Sequence, residues 1–448
     1  MDSQLWRAAC RQALTHVAQA HVAVVGAGRS GLAACRFLDR LGARVHLLDD
    51  ALKDQLQARL QQQHDMKQIC SHATAITWQQ LRQAQLIVLS PGVPRAHAAI
   101  QAALQQQIPI VTELDLAAHY LPQCCFVGIT GTNGKSTVTH LLGRMLQLHR
   151  QHVFVGGNLG TPLCDVVLSS TKPSMAVLEL SSFQLETLVN LPLSAAVITN
   201  IGVDHTNRYP SHQHYVRAKQ RIVQLLKPKA TLVCSCQDVH CLQLGQQQQQ
   251  QRPVIFVPAP NSTKQMTIQQ INAAFASCTA ALFGVSSQLI EQTLAATAGL
   301  PHRFETLGCV QGVTFINDSK ATNVAAALAA LRSVQQQGVH WIVGGQGKAE
   351  HYEPLVQACQ NSPVKRVYAI GQQATALLRC FAQGRAPTPT THAATLPQAV
   401  QQAWQHTVAG DAILLAPACA SFDQFNNFEQ RGELFRQLYT NLKQQTAP

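Results

Sequence analysis

The sequence lacks any apolar run that approaches the length of a membrane span. Of its 448 residues, 46% are hydrophobic, which is enough for several buried cores. No stretch comes near the roughly 20 consecutive apolar residues that cross a bilayer as a helix. Residues 1–11 also lack the apolar segment of a secretory signal peptide. We therefore expect a soluble, cytoplasmic protein without membrane insertion, and its length favours about three domains.

Clustered charge is also missing. Asp, Glu, Lys and Arg make up only 12% of the chain. The formal net charge is +12, but the lysines and arginines are dispersed, with no basic run and no interleaved aromatic residues. Nucleic acid is therefore not the expected partner. A small anionic substrate accounts for the positive net charge equally well.

The cysteines and glutamines form no recognisable framework. The 14 cysteines are scattered through a chain much longer than a disulfide-stabilised miniature domain, so we interpret most as reduced core residues. Cys234, Cys236, His240 and Cys241 are a weak zinc candidate, because they lie on and after a predicted strand and lack a second spaced pair. The glutamine run at 246–251 is predicted to be a surface loop.

The most informative stretch is GITGTNGKST at 128–137, which follows an apolar run and precedes a helical pattern. In such a turn the backbone N–H groups surround phosphate oxygens, Lys135 adds positive charge, and a following hydroxyl can bind Mg²⁺. The strict G-x-x-x-x-G-K-[ST] pattern fails because Ile129 stands where the first glycine belongs. An ordinary tight turn is the alternative, but the context favours a nucleotide site. The predicted ATP-binding residues of the loop are Gly131, Thr132, Asn133, Gly134, Lys135, Ser136 and Thr137.

A second glycine-rich turn, GAGRSG at 26–31, follows a strand-like segment at 21–25. A further strand at 44–48 ends in Asp49, about 20 residues beyond the turn, where a dinucleotide fingerprint carries an acid for a ribose hydroxyl. The pyrophosphates of many ligands use such turns, so this signal is only moderately specific.

Short, β-branched apolar runs alternate with helix-length segments along the chain, which is typical of mostly parallel sheets covered on both faces. The alternation restarts after residue 115 and again near residue 300. We predict an α/β fold with a Rossmann-like domain at 1–115, a central P-loop-type domain at 116–300 and a Rossmann-like domain at 301–448. Strands are predicted at 21–25, 44–48, 86–90, 153–155, 176–180, 195–199, 231–234, 254–257, 313–316, 341–343, 367–370 and 412–415.

Polar residues follow two of the central strands. Glu179 closes an apolar strand, an arrangement by which NTPases hold Mg²⁺ beside the phosphates, although an acid at an exposed strand end is the alternative. His205 and Lys219 follow the next strand. A lone histidine is more often structural, but a phosphate pocket shared with Glu179 makes His205 a metal-ligand candidate.

In combination and in their order, these motifs resemble those of the Mur ligases of bacterial cell-wall synthesis, specifically the members that add D-glutamate. The resemblance covers essentially the whole chain. The segments that carry it are GITGTNGKST at 128–137, GGN at 156–158, LELSSFQLE at 178–186, DH at 204–205, YVRAK at 215–219, PHRF at 301–304, NDSKATN at 317–323 and SFDQFNNFEQRG at 421–432.

The resemblance implies an ATP-dependent ligase that joins D-glutamate to UDP-N-acetylmuramoyl-L-alanine, and we expect a monomer. ATP would phosphorylate the L-alanyl carboxylate to an acyl phosphate, and the amine of D-glutamate would attack it. The tetrahedral intermediate would then expel phosphate. This path requires facing ATP and UDP-sugar sites, which explains two glycine-rich turns in different domains.

The resemblance also implies which residues meet each substrate. The UDP-substrate would contact Gly28, Arg29, Ser30, Gly31, Asp49, Asn158 and Ser181. The nucleotide would contact Asn272, Arg303, Asp318 and Lys320 besides the loop, and D-glutamate would contact Thr322, Lys348, Ser421 and Phe428. The catalytic set would be Lys135, His205, Lys219 and Lys320, with metal held by Ser136, Glu179, His205 and Lys219.

Lys219 carries the most specific implication. In several members of the family the matching lysine is carbamylated and, with the histidine matching His205, helps to hold a second Mg²⁺. A lysine with its usual pKa of about 10.4 is a cation and would repel the metal, whereas a carbamate supplies anionic oxygen. A plain lysine cation meeting phosphate is the alternative.

The chain departs from the family pattern at three positions. Asn207 and Gln346 each stand where the family frequently has an acid. Phe275 replaces the second amide of the adenine-side helix, so only Asn272 can supply that contact. None of these changes removes a residue assigned to phosphate or metal, and we expect an active enzyme.

Three other functions remain as alternatives. A hydride-transferring dehydrogenase explains the turn at 26–31 but leaves Lys135, Glu179 and Lys219 without a role. A nucleic-acid-dependent ATPase predicts turnover that polynucleotide stimulates and salt suppresses. A nucleotide-sensing module would require an incomplete catalytic set. Within the family, a ligase for another amino acid is the closest alternative.

Overall fold

The computed structural model describes residues 3–50, 69–158, 160–204, 208–258, 266–297, 299–347, 351–383 and 388–446. They form two compact units, which are described separately. Unit 1 comprises 1–201, 213–265 and 269–296, and unit 2 comprises 202–212, 266–268 and 297–448.

The first sheet of unit 1 has five parallel strands in the order β3-β2-β1-β4-β5. Its central strand β1 has the sequence HVAVV, in which four residues are buried, as expected for a strand covered on both faces. The strands are β1 His21–Val25, β2 Arg44–Leu48, β3 Ile69–Ala73, β4 Leu86–Leu89 and β5 Ile110–Val111. The helices are α1 Ser3–Thr15, α2 Arg29–Arg40, α3 Trp78–Leu81, α4 Ala98–Gln105 and α5 Glu113–His119.

The second sheet of unit 1 has six parallel strands in the order β11-β10-β9-β6-β8-β7. Strand β6 lies between β8 and β9, so the loop that follows β6 meets the carboxyl ends of both neighbours. The strands are β6 Cys125–Thr130, β7 Val153–Gly157, β8 Met175–Glu179, β9 Leu193–Ile198, β10 Leu226–Ser235 and β11 Val254–Val257. The helices are α6 Lys135–His149, α7 Leu163–Val167, α8 Ser182–Thr187, α9 His212–Gln220, a 3₁₀ turn Arg221–Leu225, α10 Val239–Gln248, α11 Ile268–Leu282 and α12 Ser287–Ala296.

Unit 2 holds a third six-stranded sheet in the order β12-β13-β17-β14-β15-β16. All its pairings are parallel except that of β12 with β13. The strands are β12 Glu305–Val310, β13 Val313–Asn317, β14 Gly338–Gly344, β15 Val364–Ile370, β16 Thr390–Ala394 and β17 Asp411–Leu415. The helices are α13 Val324–Ser333, α14 Glu353–Gln360, α15 Ala374–Ala382, α16 Leu396–His406 and α17 Phe428–Gln445.

The predicted α/β fold with three parallel-sheet regions is confirmed. The strands predicted at 21–25, 44–48 and 254–257 have the observed bounds, most others agree to within three residues, and the one predicted at 231–234 begins five residues earlier, at Leu226. The pattern gave no strand for β3, β12 or β16. The domain boundaries at 115/116 and 300/301 stay predictions. No helix in the described part of the chain is long and apolar enough to cross a membrane.

The prediction for the glutamine run is partly wrong. Its first three residues belong to α10, which continues to Gln248, and only the remainder lies beyond the helix. Glutamine has good intrinsic helix propensity, so a run that directly follows an amphipathic turn extends the helix instead of ending it.

The cysteines with described side chains are all free thiols. Most are buried, and Cys309 in β12 is the exposed one among them. Burial raises the pKa of the Cys10, Cys35, Cys124, Cys234 and Cys359 thiols to about 12. These thiols therefore stay protonated near neutral pH, as expected of reduced core residues.

Candidate active site

The glycine-rich loop connects β6 to α6. Gly131 has φ +149° and Gly134, the residue before α6, has φ +84°, conformations that favour glycine. A side chain at Gly131 would collide with the Thr199 hydroxyl, and one at Gly134 would collide with the Asn272 amide. The loop sequence is therefore dictated both by backbone conformation and by close neighbours.

The end of strand β9 holds this loop in place. The Thr132 N–H donates to the Asn200 carbonyl at 2.8 Å and the Asn133 N–H to the Asn200 side-chain oxygen at 3.0 Å. The Thr199 hydroxyl donates to the Asn133 carbonyl at 2.6 Å. No role for Asn200 was predicted, although its place directly after a strand of the P-loop sheet is a signal for a residue at this edge.

Two lysines converge on the loop. The Lys135 ammonium donates to the carbonyls of Gly131 and Thr132, both at 2.9 Å. The Lys219 ammonium, from α9, donates to the same Gly131 carbonyl at 2.7 Å and lies 4.7 Å from the centre of the Tyr215 ring. Lys219 is only 2% exposed. Residues distant in sequence thus place two cations at one phosphate-type loop.

Glu179 ends β8 beside the same loop, because its strand pairs with β6 in register Ile129↔Glu179. Its Oε1 accepts from the Asn158 amide at 3.0 Å. Its Oε2 is buried and has no hydrogen-bond partner among the described residues. A buried, unpartnered carboxylate oxygen fits a hard divalent cation, and the buried Ser136 hydroxyl at the start of α6 fits it as well.

Helix α11 brings Asn272 against the loop at Gly134, where the Asn272 side chain is buried. Phe275, one turn further, is fully buried and belongs to the apolar core under the second sheet. The departure at Phe275 is therefore explained by packing, since this position faces the core.

A pocket lies within unit 1 at the carboxyl ends of strands from both sheets, where ligands bind in open α/β sheets. Five of the residues predicted for the UDP-substrate line it. Gln184 of α8 also lines it, a residue of the motif at 178–186 for which no role was predicted. The lining includes Gly28, Arg29, Ser30, Asp49, Asn158 and Gln184.

The remaining two predicted UDP-substrate residues lie behind that lining. Gly31 packs so closely on the Gly26 carbonyl and Ser90 that no side chain would fit. Ser181 precedes α8 and forms a capping box with Gln184, whose Oε1 accepts from the Ser181 N–H at 2.9 Å. Gly31 therefore allows the glycine-rich turn and Ser90 to pack closely, and Ser181 fixes the position of the lining residue Gln184.

The two carboxylates at the end of β2, Asp49 and Asp50, accept hydrogen bonds from backbone N–H groups. Asp49 accepts from the Ala27 N–H of the glycine-rich turn. Asp50 accepts from the Ile76 N–H at 2.8 Å and faces His97 at 3.5 Å. These contacts fix the position of both carboxylates on the pocket wall.

In unit 2, Lys320 and Phe428 lie together, with the ammonium 3.9 Å from the ring centre. Phe428 begins α17, and its carbonyl accepts from the Ser319 hydroxyl at 2.9 Å. The fully buried Arg431 binds the Ser319 carbonyl at 2.9 Å and the Cys419 carbonyl at 3.1 Å. The segments around Lys320 and the buried Ser421 are thereby joined.

Asp318 follows β13 and precedes this group. Burial raises its pKa to about 7, partly offset by the Phe304 N–H and by the Arg303 guanidinium. Thr322 follows in the same turn, where its N–H donates to the Lys320 carbonyl at 2.7 Å. His205, Asn207 and Lys348 lie outside the described residues.

Three family models match consecutive parts of the chain. "Mur ligase MurD-like, N-terminal domain" matches residues 20–112, "Mur ligase middle domain" matches 129–301, and "Mur ligase, glutamate ligase domain" matches 302–419. Together they include the pocket, the P-loop and the Lys320 segment.

Curated relatives are similar over nearly their full length. The UDP-N-acetylmuramoylalanine–D-glutamate ligase of Myxococcus xanthus is 39% identical, over 94% of this chain and 98% of its own. The ligase of the same name from Anaeromyxobacter dehalogenans is 36% identical, over 94% and 97%.

Solved structures share the fold at lower identity. The MurF ligase of Thermotoga maritima, in complex with ADP, has a TM-score of 0.60 at 16% identity, covering 90% of this chain and 96% of its own. The UDP-N-acetylmuramate-alanine ligase of the same organism has a TM-score of 0.57 at 15% identity, covering 94% and 99%.

Proposed function

The chain belongs to the Mur ligase family, and on that premise we propose how its residues carry out one reaction. The reaction is the ATP-dependent joining of D-glutamate to UDP-N-acetylmuramoyl-L-alanine in peptidoglycan precursor synthesis. The observation that carries the proposal is the P-loop, where Lys135 and Lys219 donate to one carbonyl beside a Glu179 oxygen that has no partner within the described part of the chain.

The P-loop receives the phosphates of ATP. Lys135 exchanges its two carbonyl contacts for phosphate oxygens, because its ammonium already lies over the loop. Glu179 and Ser136 would hold Mg²⁺, and the ion would supply positive charge beside the transferred phosphoryl group. Asn158 keeps the Glu179 carboxylate turned so that its other oxygen remains available.

Lys219 acts as a carbamate in this proposal. The modified nitrogen retains one N–H, which can keep the hydrogen bond to the Gly131 carbonyl, while the new carboxylate supplies the anionic oxygens for a second Mg²⁺. Burial at 2% exposure protects the modification from water. His205 is assigned to the same ion by resemblance alone.

The pocket at the ends of the two sheets receives the UDP-substrate. Arg29 and Ser30 at the start of α2 face the pyrophosphate, where a glycine-rich turn presents backbone N–H groups. Asp49, which accepts from the Ala27 N–H of the same turn, is assigned to the uridine by resemblance. Asn158 and Gln184 line the opposite wall, which directs the sugar–peptide part toward Glu179.

The residues assigned to D-glutamate lie in unit 2, as do those nucleotide-binding residues that are not part of the P-loop or of α11. Ser421 and Thr322 offer hydroxyls, and Lys320 and Phe428 form a stacked pair. Lys320 balances the charge of a substrate carboxylate or phosphate. Arg303 and Asp318 are assigned to the nucleotide and Lys348 to D-glutamate.

The bonds change in two steps. A carboxylate oxygen of the L-alanyl group attacks the γ-phosphorus, and the bond to ADP breaks. The neutral amine of D-glutamate then attacks the acyl carbon, and the tetrahedral intermediate loses phosphate and a proton to leave the amide. The P-loop lysines stabilise the charge that develops in the first step.

Phosphate release tests the proposal directly. ATP, Mg²⁺ and UDP-N-acetylmuramoyl-L-alanine are supplied with a panel of amino acids, and polynucleotide is added in a parallel arm. We expect release with D-glutamate alone. Release with a different amino acid would correct the substrate, and release that depends on polynucleotide would overturn the function.

A further inference from the structure

The candidate UDP pocket has two walls that belong to different sheets of unit 1. The turns at 26–30 and 90–94 follow strands of the first sheet, whereas Asn158, Pro162 and Gln184 follow strands of the second. A single chain connection through α5 joins the two regions. The width of the pocket therefore depends on non-covalent contacts between its walls.

One such contact joins α2 to α7. Arg36 donates from Nη2 to Oδ1 and Oδ2 of Asp165, at 2.7 and 2.8 Å, and from Nε to Oδ1 at 3.0 Å. Helix α2 begins with the pocket residue Arg29, and α7 directly follows the pocket residue Pro162. Both side chains are about one-quarter exposed, and the planar fork fixes orientation as well as distance.

A second contact joins the turn at 90–94 to α8. Arg95, directly after this turn, donates from Nη1 to the Glu186 carbonyl at 2.8 Å. Gln184, two residues earlier in the same helix, lines the pocket. Arg221, which follows α9, donates to the neighbouring Leu185 carbonyl at 2.8 Å. Arg95 therefore binds a helix end whose position is also fixed by a residue of the second-sheet region.

We propose that Arg36 and Arg95 are positioning residues that fasten the two pocket walls and thereby set the affinity for the nucleotide-sugar substrate. This inference rests on the proposed function. Neither guanidinium is needed to touch the substrate. Their effect arises because a pocket held at its bound width loses less conformational entropy on binding.

The charge-reversal pair Arg36→Asp and Asp165→Arg provides the sharpest test, with the double variant as the rescue. Arg95→Gln tests the second contact. Arg436→Gln is the matched control. Arg436 forms an ion pair with Glu305 in unit 2 at 2.8 Å, and the two side chains are about as exposed as those of Arg36 and Asp165. Binding of UDP-N-acetylmuramoyl-L-alanine, and of UDP as a second probe, is measured by calorimetry without ATP, alongside thermal unfolding.

We expect each single reversal to weaken substrate binding by roughly threefold to tenfold and the double variant to return to within about twofold. Arg95→Gln should weaken it roughly threefold, and Arg436→Gln should not change it. The KM for ATP and D-glutamate should stay unchanged in all of them. If the pair were merely structural, its reversal would lower the unfolding temperature without selectively weakening the binding of the UDP-substrate.

Two results would overturn the inference while leaving the proposed function intact. In the first, wild-type binding persists in both reversals. In the second, the double variant regains thermal stability but not affinity. A wild-type protein that binds neither probe would instead overturn the proposed function, and the inference with it.

Discussion

Lys135 and Lys219 donate to one and the same oxygen, the carbonyl of Gly131, at 2.9 and 2.7 Å. The two ammonium groups approach this oxygen from different helices, α6 and α9. Like charges brought together in a loop of this kind are favourable when an anion occupies it. The two lysines nevertheless have different proposed fates, one as a cation and one as a carbamate, and these can be separated.

Lys219→Ala should reduce phosphate release by about 100-fold, because a ligand group for metal is lost. A small carboxylic acid such as acetate should restore part of the activity by supplying the missing oxygens. Lys135→Ala should be equally inactive and should not respond to the acid, since it loses a cation. Equal responses of the two variants to acetate would contradict the carbamate role.

Asn158→Ala should raise the Mg²⁺ concentration for half-maximal activity roughly tenfold or more, because Glu179 loses the amide that orients it. The measurement is phosphate release titrated with Mg²⁺ at saturating substrates. Asn361→Ala, an exposed asparagine after α14, is the control. A change confined to the KM of the UDP-substrate would show that Asn158 serves the sugar and not the metal site.

Glu113→Gln should alter the pH dependence of stability. Burial raises the pKa of Glu113 to about 7, against which the Cys164 N–H works only in part. The unfolded chain releases this proton near pH 4.5 while the folded protein retains it, so the free energy of unfolding falls as the pH rises from about 4.5 to 7.

The glutamine variant lacks this loss and should gain stability relative to the wild type across the same window, by on the order of 3 kcal/mol at its alkaline end. Urea unfolding at a series of pH values measures the difference. Parallel curves for the two proteins would contradict the assignment.

His340→Gln should change stability on the acid side. Burial lowers the pKa of His340, although Asp411 at 3.5 Å opposes the shift and Lys365 reinforces it. The unfolded imidazole takes up a proton near pH 6.5 and the folded one resists it, so the wild type loses stability as the pH falls below 6.5.

The variant should show a shallower loss in unfolding experiments below pH 6.5, even if its stability at pH 8 is lower through loss of the Tyr368 contact at 3.0 Å. The exposed His392 offers the control substitution His392→Gln, which should keep the wild-type slope. An unchanged slope in the His340 variant would rule out its contribution.

Strands that consist of an uninterrupted apolar run were predictable from the sequence, whether they lie at the centre of a sheet like β1 or at an edge like β11. HVAVV and VIFV each form a short β-branched run, and both strands have the predicted bounds. Strands β12 and β16 were missed because they carry polar, partly exposed residues, as in TTHAA, and not merely because they lie at sheet edges, since the apolar edge strand β11 was found. Their identity depends on pairing with a neighbour, which no local pattern contains.

The site was predictable only where chemistry is local. The loop around Lys135 is recognisable because a glycine, a lysine and a hydroxyl residue follow one another in the sequence. The pairing of Arg36 with Asp165 joins residues 129 positions apart, and each alone looks like an ordinary surface charge. The shared carbonyl of Gly131 likewise depends on how α9 crosses the second sheet.

The exposure of Cys309 gives unit 2 a natural attachment point for a reporter group. Its other cysteines are Cys359 and Cys419, which are buried, and Cys380, whose thiol pKa is raised by burial. A maleimide fluorophore added near neutral pH should therefore attach in this unit mainly at the edge strand β12. Once the partly exposed Cys125, Cys236 and Cys278 of unit 1 are replaced by serine, ligand-dependent emission from that position could be recorded without engineering a new labelling site.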